Sequence, residues 1–244
     1  METIAGAADF QRQREDILEL LPVSTVETFR KNQVIYTPDQ PSTGISLVVA
    51  GTVRLSQIAD DGYELLLEIV GVDEVFGESA FLNTAQISET ATAHENATLM
   101  VWPVPVIEDL MMKTPRLAAS LLQVSAQRGA DFAHRIESLA FDKIDRRLAR
   151  ALIRFSERLG APTADGSIRI LPISQELLGR HIGTSREVVS AHMNRFRRRG
   201  YLDYSRAGIV LHGKTLAAWI ANKSPISESS CLDRTSARAA TTAL

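Results

Sequence analysis

One stretch of the sequence, residues 173–204, constrains the fold more than any other, because it predicts two short helices joined by a tight turn. Ser174 is a favourable N-cap for a first helix over 175–182, since its hydroxyl can accept a hydrogen bond from a first-turn amide. Gly183 follows that helix and can adopt the positive φ that ends a helix. These signals predict a helix-turn-helix.

The second helix of this stretch has its own start and stop signals. Thr184 or Ser185 can cap its N-terminus, it runs to about Arg198, and Gly200 ends it. Apolar residues recur at helical spacing on one face of each helix, which predicts that these faces are buried. They are Leu177, Leu178 and Ile182 in the first helix and Val188, Val189, Met193 and Phe196 in the second.

The other face of the second helix is polar and rich in arginine. In a helix-turn-helix, the N-terminal side chains of the second helix enter the major groove of duplex DNA. We therefore predict a protein that binds duplex DNA. Asn194, Arg198 and Arg199 complete the polar face, although arginines at a helix C-terminus are also favoured by the helix dipole. The expected DNA contacts are Ser174, Gln175, Thr184, Ser185, Arg186, Glu187, Ser190, His192, Arg195 and Arg197.

The charge distribution supports this prediction. Residues 143–215 hold 15 Lys and Arg against 6 Asp and Glu, a formal charge of +9, whereas the rest of the chain carries −11. The overall charge of −2 hides this asymmetry. Of the 15 basic residues 13 are arginine, and the planar guanidinium suits bidentate contacts to phosphate and guanine.

Length and composition limit the number of domains and exclude several classes of protein. A chain of 244 residues is expected to form two domains. No run reaches the ~18 consecutive apolar residues of a membrane span, and the N-terminal residues lack an apolar signal core. Cys231 is the one cysteine, which excludes an intramolecular disulfide and a cysteine-ligated cluster within one chain. We expect a soluble cytoplasmic protein with no membrane partner.

Residues 34–104 contain short β-branched or apolar runs separated by turn residues, which predicts an all-β segment. Asp60, Asp61 and Gly62 predict a hairpin turn. Many short strands with turns between them favour a sandwich or jelly-roll barrel. An amphipathic helical pattern over 1–22 precedes this segment. The predicted strands lie at 34–36, 45–49, 53–58, 65–70 and 99–102.

A long helix is expected to begin at Thr114 and Pro115 and to run to about Ala140, because proline is favoured at the first helical position. Its middle, residues 125–131, is polar and small. The helix either packs on its own domain or forms an imperfect seam with a second copy. We favour the dimer, because helix-turn-helix proteins usually occupy DNA in pairs. Its apolar residues near one face are Leu117, Leu121, Val124, Phe132, Ile136 and Leu139.

The C-terminal part of the chain follows a hinge expected at 141–143. A basic amphipathic helix is predicted over 145–159, and a β-hairpin wing over 201–211 with its turn at 206–208. Residues 223–244 are rich in Ser, Ala and Thr and lack a periodic apolar face, so we expect a disordered tail.

Several local motifs accompany this order of segments. They are Gly183-Thr-Ser-Arg-Glu-Val-Val-Ser in the helix-turn-helix, Val75-Phe-Gly-Glu-Ser-Ala-Phe-Leu and Ala50-Gly-Thr-Val in the β segment, and Leu139-Ala-Phe at the end of the long helix. With the segment order, they resemble the cyclic-AMP receptor protein and fumarate–nitrate regulator (CRP/FNR) family of bacterial transcription factors. The resemblance covers about residues 20–215.

The resemblance implies an α+β fold with an N-terminal β-roll of the cyclic-nucleotide-binding type. It divides the chain into a helix and β-roll sensor domain at 1–113 and a long dimerisation helix at 114–141. A winged helix-turn-helix domain is then expected at 142–215. A C-terminal segment at 216–244, largely a disordered tail, completes the chain.

A sensor domain of this type implies an effector pocket. In the cyclic-AMP-binding branch, a Phe-Gly-Glu sequence is followed about ten residues later by an Arg-Ser pair that binds the cyclic phosphate, while the glutamate holds the ribose hydroxyl. The candidate pocket residues here are Gly77, Glu78, Ser79, Ser88, Glu89 and Phe132.

This chain departs from the cyclic-AMP pattern at that pocket. The position of the Arg-Ser pair falls at 87–88 or 88–89, where no cation is present, and a buried phosphate beside Glu89 would be costly. Phe132 and Ala133 replace a Thr-Ser pair that contacts the purine. We therefore expect no response to cyclic AMP, and a structural role for Gly77 and Glu78.

Other branches of the family imply other effectors. The iron–sulfur branch uses an N-terminal cysteine cluster that this sequence lacks, and His94 and His134 are the only candidates for a haem ligand in the sensor half. We expect no cofactor or metal. Phe132 can fill the pocket in place of a ligand. The alternative is an effector-dependent regulator that senses another small molecule or a haem-bound gas.

The resemblance also implies roles within the DNA-binding domain. Arg186 and Glu187 match an Arg-Glu pair of the family, in which arginine reaches guanine and glutamate accepts from cytosine. A third base-contacting position falls at Ala191, between Ser190 and His192, so the half-site is expected to differ from the family consensus there. Candidates for phosphate contacts are Ser174, Ser185 and Arg195.

The resulting prediction is a dimeric, sequence-specific transcription regulator that binds a pseudo-palindromic operator and RNA polymerase. A ligand-sensing regulatory module of an enzyme or channel is the alternative, but it leaves residues 174–204 and their basic surroundings without a use. The sequence contains no nucleophile motif, metal cluster or Gly-Lys-Ser nucleotide loop, so we do not expect an enzyme.

Overall fold

The computed structural model describes residues 17–82, 88–205 and 207–222. They form a β-roll, one long helix and a winged helix-turn-helix domain, which confirms the expected α+β fold and its order. Of the amphipathic segment over 1–22, the described part begins at residue 17, and 17–20 are helical. The tail expected over 223–244 lies outside the described residues.

Eight strands build the roll as two four-stranded antiparallel sheets. One sheet has the order β1-β8-β3-β6 and the other the order β2-β7-β4-β5. Fully buried side chains from both sheets fill the space between them, among them Val48 and Leu99 of the first sheet and Val53 and Val70 of the second. The strands are β1 (Thr25–Phe29), β2 (Val34–Tyr36), β3 (Gly44–Ala50), β4 (Val53–Ile58), β5 (Glu64–Val70), β6 (Val75–Phe76), β7 (Glu89–Ala93) and β8 (Ala97–Pro103).

The five strands expected from the sequence are present, and β1, β6 and β7 complete the sheets. β1 lies at a sheet edge and is mostly exposed, so it lacks a continuous apolar pattern. β7 is buried through small side chains, with Ala91 and Ala93 fully enclosed. Alanine and threonine do not give the bulky alternating signal by which a strand is predicted.

The helices agree with their predicted bounds to within a few residues. A short 3₁₀ helix, Glu78–Phe81, follows β6, and α1 is an addition to the predicted set. The α-helices are α1 (Val104–Lys113), α2 (Pro115–Phe141), α3 (Ile144–Leu159), α4 (Gln175–Ile182), α5 (Arg186–Arg198) and α6 (Gly213–Asn222).

The apolar residues of the long helix α2 differ in burial between its N-terminal and C-terminal parts. Leu117 and Leu121 are buried against the roll, in a cluster that includes Trp102 and Ile107. Ile136, towards its C-terminus, is 67% exposed. The N-terminal third of the helix therefore packs on its own domain, whereas Ile136 is not covered within the single chain, and its packing in a dimer seam stays a prediction.

The DNA-binding half contains a third four-stranded sheet, of order β11-β12-β10-β9, which includes the predicted wing. The segment after residue 215 differs from the expected tail, because α6 packs Leu216 fully into the core and Trp219 beside Phe196. The domain therefore extends to residue 222. The strands are β9 (Ala161–Pro162), β10 (Ile168–Ile170), β11 (Leu202–Ser205) and β12 (Gly208–Leu211).

The roll and the DNA-binding half share apolar contacts. Leu66 and Ile69 of β5 belong to the same buried cluster as Leu178 and Ile182 of α4. None of the helices in the described residues has the length and apolar character needed to cross a bilayer.

Candidate nucleic-acid interface and sensor pocket

The helix-turn-helix is formed by caps that the sequence predicts. The Ser174 hydroxyl accepts a hydrogen bond from the Leu177 amide at 3.1 Å, and Gly183 ends α4 in the left-handed region at φ 70°. Of the two candidate caps for α5, Ser185 is used, since its hydroxyl accepts from the Val188 amide at 3.5 Å. The predicted two-helix arrangement is confirmed.

Gly179 allows the turn to lie close against the first helix. A Cβ atom at this position would lie 2.7 Å from the carbonyl oxygen of Thr184. A side chain there would displace the turn, and with it the start of α5. The sequence pattern of α4 gives no sign of this requirement, because glycine within a helix is otherwise only unfavourable.

The N-terminal half of α5 presents the expected base-contacting side chains to solvent. Arg186 and Glu187 are exposed, and Ser190 is partly exposed one turn later. Hydrogen bonds from its own backbone amide and from the Ser185 hydroxyl lower the pKa of Glu187, so its carboxylate is charged. Val188, expected in the buried face, is 37% exposed. Of the remaining candidates, the exposed ones are Ser174, Ser185, Arg195 and Arg197, and the partly exposed ones are Gln175 and Thr184.

His192, the last of the expected DNA contacts, is less accessible than the arginines of α5. Its ring is partly buried, and Nδ1 is enclosed with no hydrogen-bond partner among the described residues. Burial, followed by the nearby Arg195, lowers the pKa of its imidazole, so the ring is neutral at pH 7. His192 therefore lies at the edge between the exposed face and the core.

The wing contacts the C-terminal half of α5 through Tyr204. Its hydroxyl donates to Asn194 Oδ1 at 2.9 Å, and the guanidinium carbon of Arg197 lies 5.2 Å from the centre of its ring. Asn194 belongs to the predicted polar face but is not one of the ten expected DNA contacts. The fold thus brings Tyr204 of β11 next to the polar face of α5.

In the roll, Arg128 of α2 reaches the candidate effector pocket. Its Nη1 binds the carboxylate of Glu78, and its Nη2 donates to the carbonyl oxygen of Val75 at 2.5 Å. Its Nε lies 3.0 Å from the carboxylate of Glu68 on β5. The pocket glutamate is thus already paired with a cation of the long helix.

Gly77 has the backbone role that the sequence analysis expects. Its φ is 95°, and a Cβ atom there would lie 2.5 Å from the carbonyl oxygen of Gly44. This conformation starts the 3₁₀ helix that carries Glu78 and Ser79. Both the positive φ and the close approach favour glycine.

Glu89, which lies within the segment 87–89 aligned with the Arg-Ser pair, binds a tyrosine. The Tyr36 hydroxyl donates a hydrogen bond to Glu89 Oε1, and the Tyr36 ring stacks on Phe76 at 6.1 Å between centroids. Burial raises the pKa of the Glu89 carboxyl. Ser79 Oγ is buried in the same region. This part of the pocket therefore offers an acid and hydroxyls.

Ser88 and Phe132 complete the candidate pocket residues. Ser88 is exposed. Phe132 is 39% exposed and lines a small cleft together with Glu68, Arg128 and His181. Arg128 is the long-helix side chain that binds Glu78, and it also lines the cleft of Phe132, so the filling of the pocket by Phe132 stays a prediction.

The sensor domain is joined to the DNA-binding domain by a buried ionic network. Arg158 of α3 binds Glu68 through Nη1 and donates to Glu74 Oε2 through Nη2 at 2.8 Å. Burial alone would raise the pKa of Glu68, but Arg128 and Arg158 hold it below its ordinary value. Glu74 also accepts the Gly71 amide at 2.8 Å. We call Glu78, Arg128, Glu68, Arg158 and Glu74 the interdomain network.

Further polar contacts surround this network. Arg180 of α4 pairs with Glu64 of β5, and Arg154 of α3 pairs with Asp131 of α2. His181 is buried against Phe155 and faces the Leu66 carbonyl oxygen at 3.4 Å. Since β5, α2, α3 and α4 all take part, the orientation of the DNA-binding domain depends on these contacts.

Sequence reasoning missed the interdomain network. Arg128 lies in the polar middle of the long helix, and this is where a signal was available, because a cation and small residues interrupt the series of apolar residues near one face. Arg158 offers no such signal, since it is one of several arginines in the basic helix α3. Its partners lie 84 and 90 positions away in the sequence.

Comparison with known proteins covers both domains. Residues 26–114 match the cyclic nucleotide-binding domain family, and residues 146–218 match the Crp-like helix-turn-helix domain family. Transcriptional regulator SdrP of Thermus thermophilus is 30% identical over 179 residues, which are 72% of this chain and 83% of that protein.

Two further relatives extend the comparison. The CRP-like cAMP-activated global transcriptional regulator of Mycobacterium tuberculosis is 24% identical over 216 residues, 86% of this chain and 94% of that protein. The crystal structure of a CRP/FNR-family transcriptional regulator from Thermus thermophilus superimposes with a TM-score of 0.65 at 26% identity, covering 82% of this chain and 99% of the other. All three proteins are described as transcription regulators.

Proposed function

Because the chain belongs to the CRP/FNR family of DNA-binding transcription regulators, we propose that it is a cytoplasmic homodimer that recognises a pseudo-palindromic operator and acts with RNA polymerase. The observation that carries the proposal is the exposure of Arg186 and Glu187 at the start of α5. Both are the residue types that bind guanine and cytosine edges in the major groove.

A stripe of small and apolar residues on α2 supports the dimer. Its members are all exposed and alternate at spacings of three and four residues, which is the pattern of a two-helix seam. A Cβ atom at Gly129 would meet nothing within 4 Å, so the middle of the stripe is open to a partner helix. The stripe differs from the face expected from the sequence and consists of Ala119, Leu122, Ala126, Gly129, Ala133, Ile136 and Ala140.

The test compares two arginines of α5. Arg186→Ala is expected to cost ~1–3 kcal/mol on the best operator and to relax specificity at one base pair of each half-site. Arg195→Ala should weaken binding to all duplexes and flatten the salt dependence. Operators selected from random duplexes should have half-sites about 34 Å apart. Equal effects of both variants on random DNA would contradict these roles.

We also propose that cyclic AMP is not the effector, in contrast to the M. tuberculosis relative. Glu78 is already paired with Arg128, and the carboxyl of Glu89 stands where a phosphate would need a cation. Calorimetry with cyclic AMP should give no heat of binding at micromolar concentration. Micromolar affinity accompanied by tighter operator binding would show that the proposal is wrong.

A second candidate, a regulator that responds to another small molecule, is favoured by the interdomain network. A ligand that displaces Glu78 from Arg128 acts on the guanidinium that also binds Glu68, and Glu68 in turn binds Arg158 of the DNA-binding domain. Two-state coupling of this kind needs a ligand that prefers one arrangement. Protein refolded free of small molecules should then bind its operator only after cell metabolites are added, and Arg128→Met should remove the difference. Equal operator binding with and without metabolites would favour ligand-independent regulation.

A further inference from the structure

Tyr204 of β11 holds two side chains of α5 at once. Its hydroxyl donates to Asn194 Oδ1 at 2.9 Å, and its ring lies under the guanidinium of Arg197 at 5.2 Å. Asn194 and Arg197 are three positions apart and therefore neighbours on the helix surface. One wing residue thus fixes the orientation of an amide and a guanidinium on the exposed side of the domain.

The hydrogen bond decides which chemistry Asn194 can offer. An asparagine amide has an oxygen that accepts and a nitrogen that donates two hydrogen bonds. The Tyr204 hydroxyl engages the oxygen, and no group among the described residues accepts from Nδ2. Asn194 therefore presents donors. Arg197 also offers only donors, so the pair is complementary to an anion.

The position of the pair on α5 indicates which anion this is. Base edges are contacted mainly from the N-terminal part of a recognition helix, where Arg186 and Glu187 lie. Asn194 and Arg197 lie two to three turns further along, next to the wing. Asparagine and arginine are both frequent donors to DNA phosphates. The stacked ring also restricts the arginine, so less side-chain freedom remains to be lost on binding.

We propose that Tyr204 is a positioning residue for DNA binding, which holds Asn194 and Arg197 as a clamp for the DNA phosphate backbone. This inference rests on the proposed DNA-binding function and adds Asn194 and Tyr204 to its residues. Tyr204 itself does not contact DNA in this arrangement. Its effect on DNA is transmitted through the two side chains of α5.

The alternative is that Tyr204 only packs the wing onto the domain, since its ring also lies against the apolar core. Tyr204→Phe separates the two roles, because it keeps the ring and removes the hydroxyl. Tyr201→Phe is the matched control. Tyr201 also packs against Phe196 next to the wing, and its hydroxyl donates no hydrogen bond to a side chain of α5 among the described residues.

The experiment measures dissociation constants of the full chain for a selected operator and for random duplex, at several salt concentrations. Tyr204→Phe and Asn194→Ala should each weaken binding about three- to ten-fold on both duplexes, in line with one lost hydrogen bond. The double variant should be no weaker than the worse single variant. Arg197→Ala should lower the salt slope by about one. Tyr201→Phe should bind like the wild type.

Each contrary result has a separate meaning. If the wild-type chain binds no duplex, the proposed function is wrong. If the wild type binds and both Tyr204→Phe and Asn194→Ala match it, or their effects add fully, only the clamp is wrong. A change in base preference in Asn194→Ala would also overturn the clamp, because phosphate contacts carry no sequence information. Thermal unfolding of each variant checks that the fold is intact.

Discussion

Arg158 and Glu74 are 84 positions apart in the sequence, yet two nitrogens of the arginine face the two carboxylate oxygens of the glutamate at 2.8 and 3.3 Å. The side chains are only 12% and 4% exposed. Arg158 belongs to the DNA-binding domain and Glu74 to the sensor domain. The contact between the two halves is therefore a desolvated, bidentate ion pair.

Removal of Arg158 should be strongly destabilising. Arg158→Met leaves Glu68 and Glu74 buried without their shared cation, and loss of one partner of a buried pair costs about 3–5 kcal/mol. Arg150→Met is the control, because the side chain of Arg150 is 45% exposed and its pair with Asp142 should contribute about 1 kcal/mol or less. Urea unfolding measures both. Equal decreases in the free energy of unfolding for the two variants would show that the buried pairs of Arg158 stabilise the fold no more than an exposed pair does.

The stability of the protein should fall as the pH drops below about 6.5. Burial, and then the charge of Arg135, lowers the pKa of His181 to about 3, so the folded chain keeps the ring neutral while the unfolded chain protonates it. His181 thus contributes stability that is full above pH 6.5 and is lost towards pH 3, at no more than about 1.4 kcal/mol per pH unit. The slope between pH 6.5 and 4.5 should be shallower in His181→Gln. His134→Gln, on the exposed face of α2, should leave that slope unchanged.

A charge in the exposed stripe of α2 should separate the dimer. Ile136 is 67% exposed in the single chain, and Ile136→Glu would place a carboxylate in the seam of two such helices. Sedimentation should show a monomer with much weaker operator binding. His134→Glu, also exposed on α2 but outside the stripe, should remain dimeric. A dimer in both variants would mean that the copies associate through another surface.

Two glycine variants test the close approach in the helix-turn-helix. Gly179→Ala brings a Cβ within 2.7 Å of the Thr184 carbonyl oxygen, so it should destabilise the domain by about 1–3 kcal/mol and weaken DNA binding. Gly129→Ala meets no atom within 4 Å in the single chain, and alanine favours a helix by about 1 kcal/mol. In dilute protein, the thermal unfolding temperature should therefore fall in Gly179→Ala and rise in Gly129→Ala. A neutral Gly179→Ala would show that the turn relaxes at little cost.

Much of the fold could be predicted from the sequence because the signals are local. The caps at Ser174 and Gly183 depend on neighbours within four residues, and the strands of the roll are marked by turns between apolar runs. α6 could not be predicted in this way. Leu216 and Trp219 stabilise this helix by packing into a core that is formed by residues distant in the sequence, so no local pattern marks it.

The candidate site likewise contains residues that the sequence identifies and residues that only the tertiary structure reveals. Arg186 and Glu187 are identified by their position at a helix start, which the sequence specifies. The partners of Arg128 and Tyr204 depend on how α2 crosses the roll and how the wing folds back on α5. Both are tertiary relationships without a local pattern, so the sequence could not identify Arg128 as the partner of Glu78.

The shared apolar cluster of Leu66 and Ile69 with Leu178 and Ile182 limits how this protein can be recombined with its relatives. A chimera that joins this DNA-binding half to a foreign sensor would lose the strand on which α4 rests. The uncovered leucine and isoleucine surface would then favour aggregation. A hybrid regulator made at the 141–143 hinge therefore needs β5 from the same parent as α4, so the unit of exchange is larger than either domain.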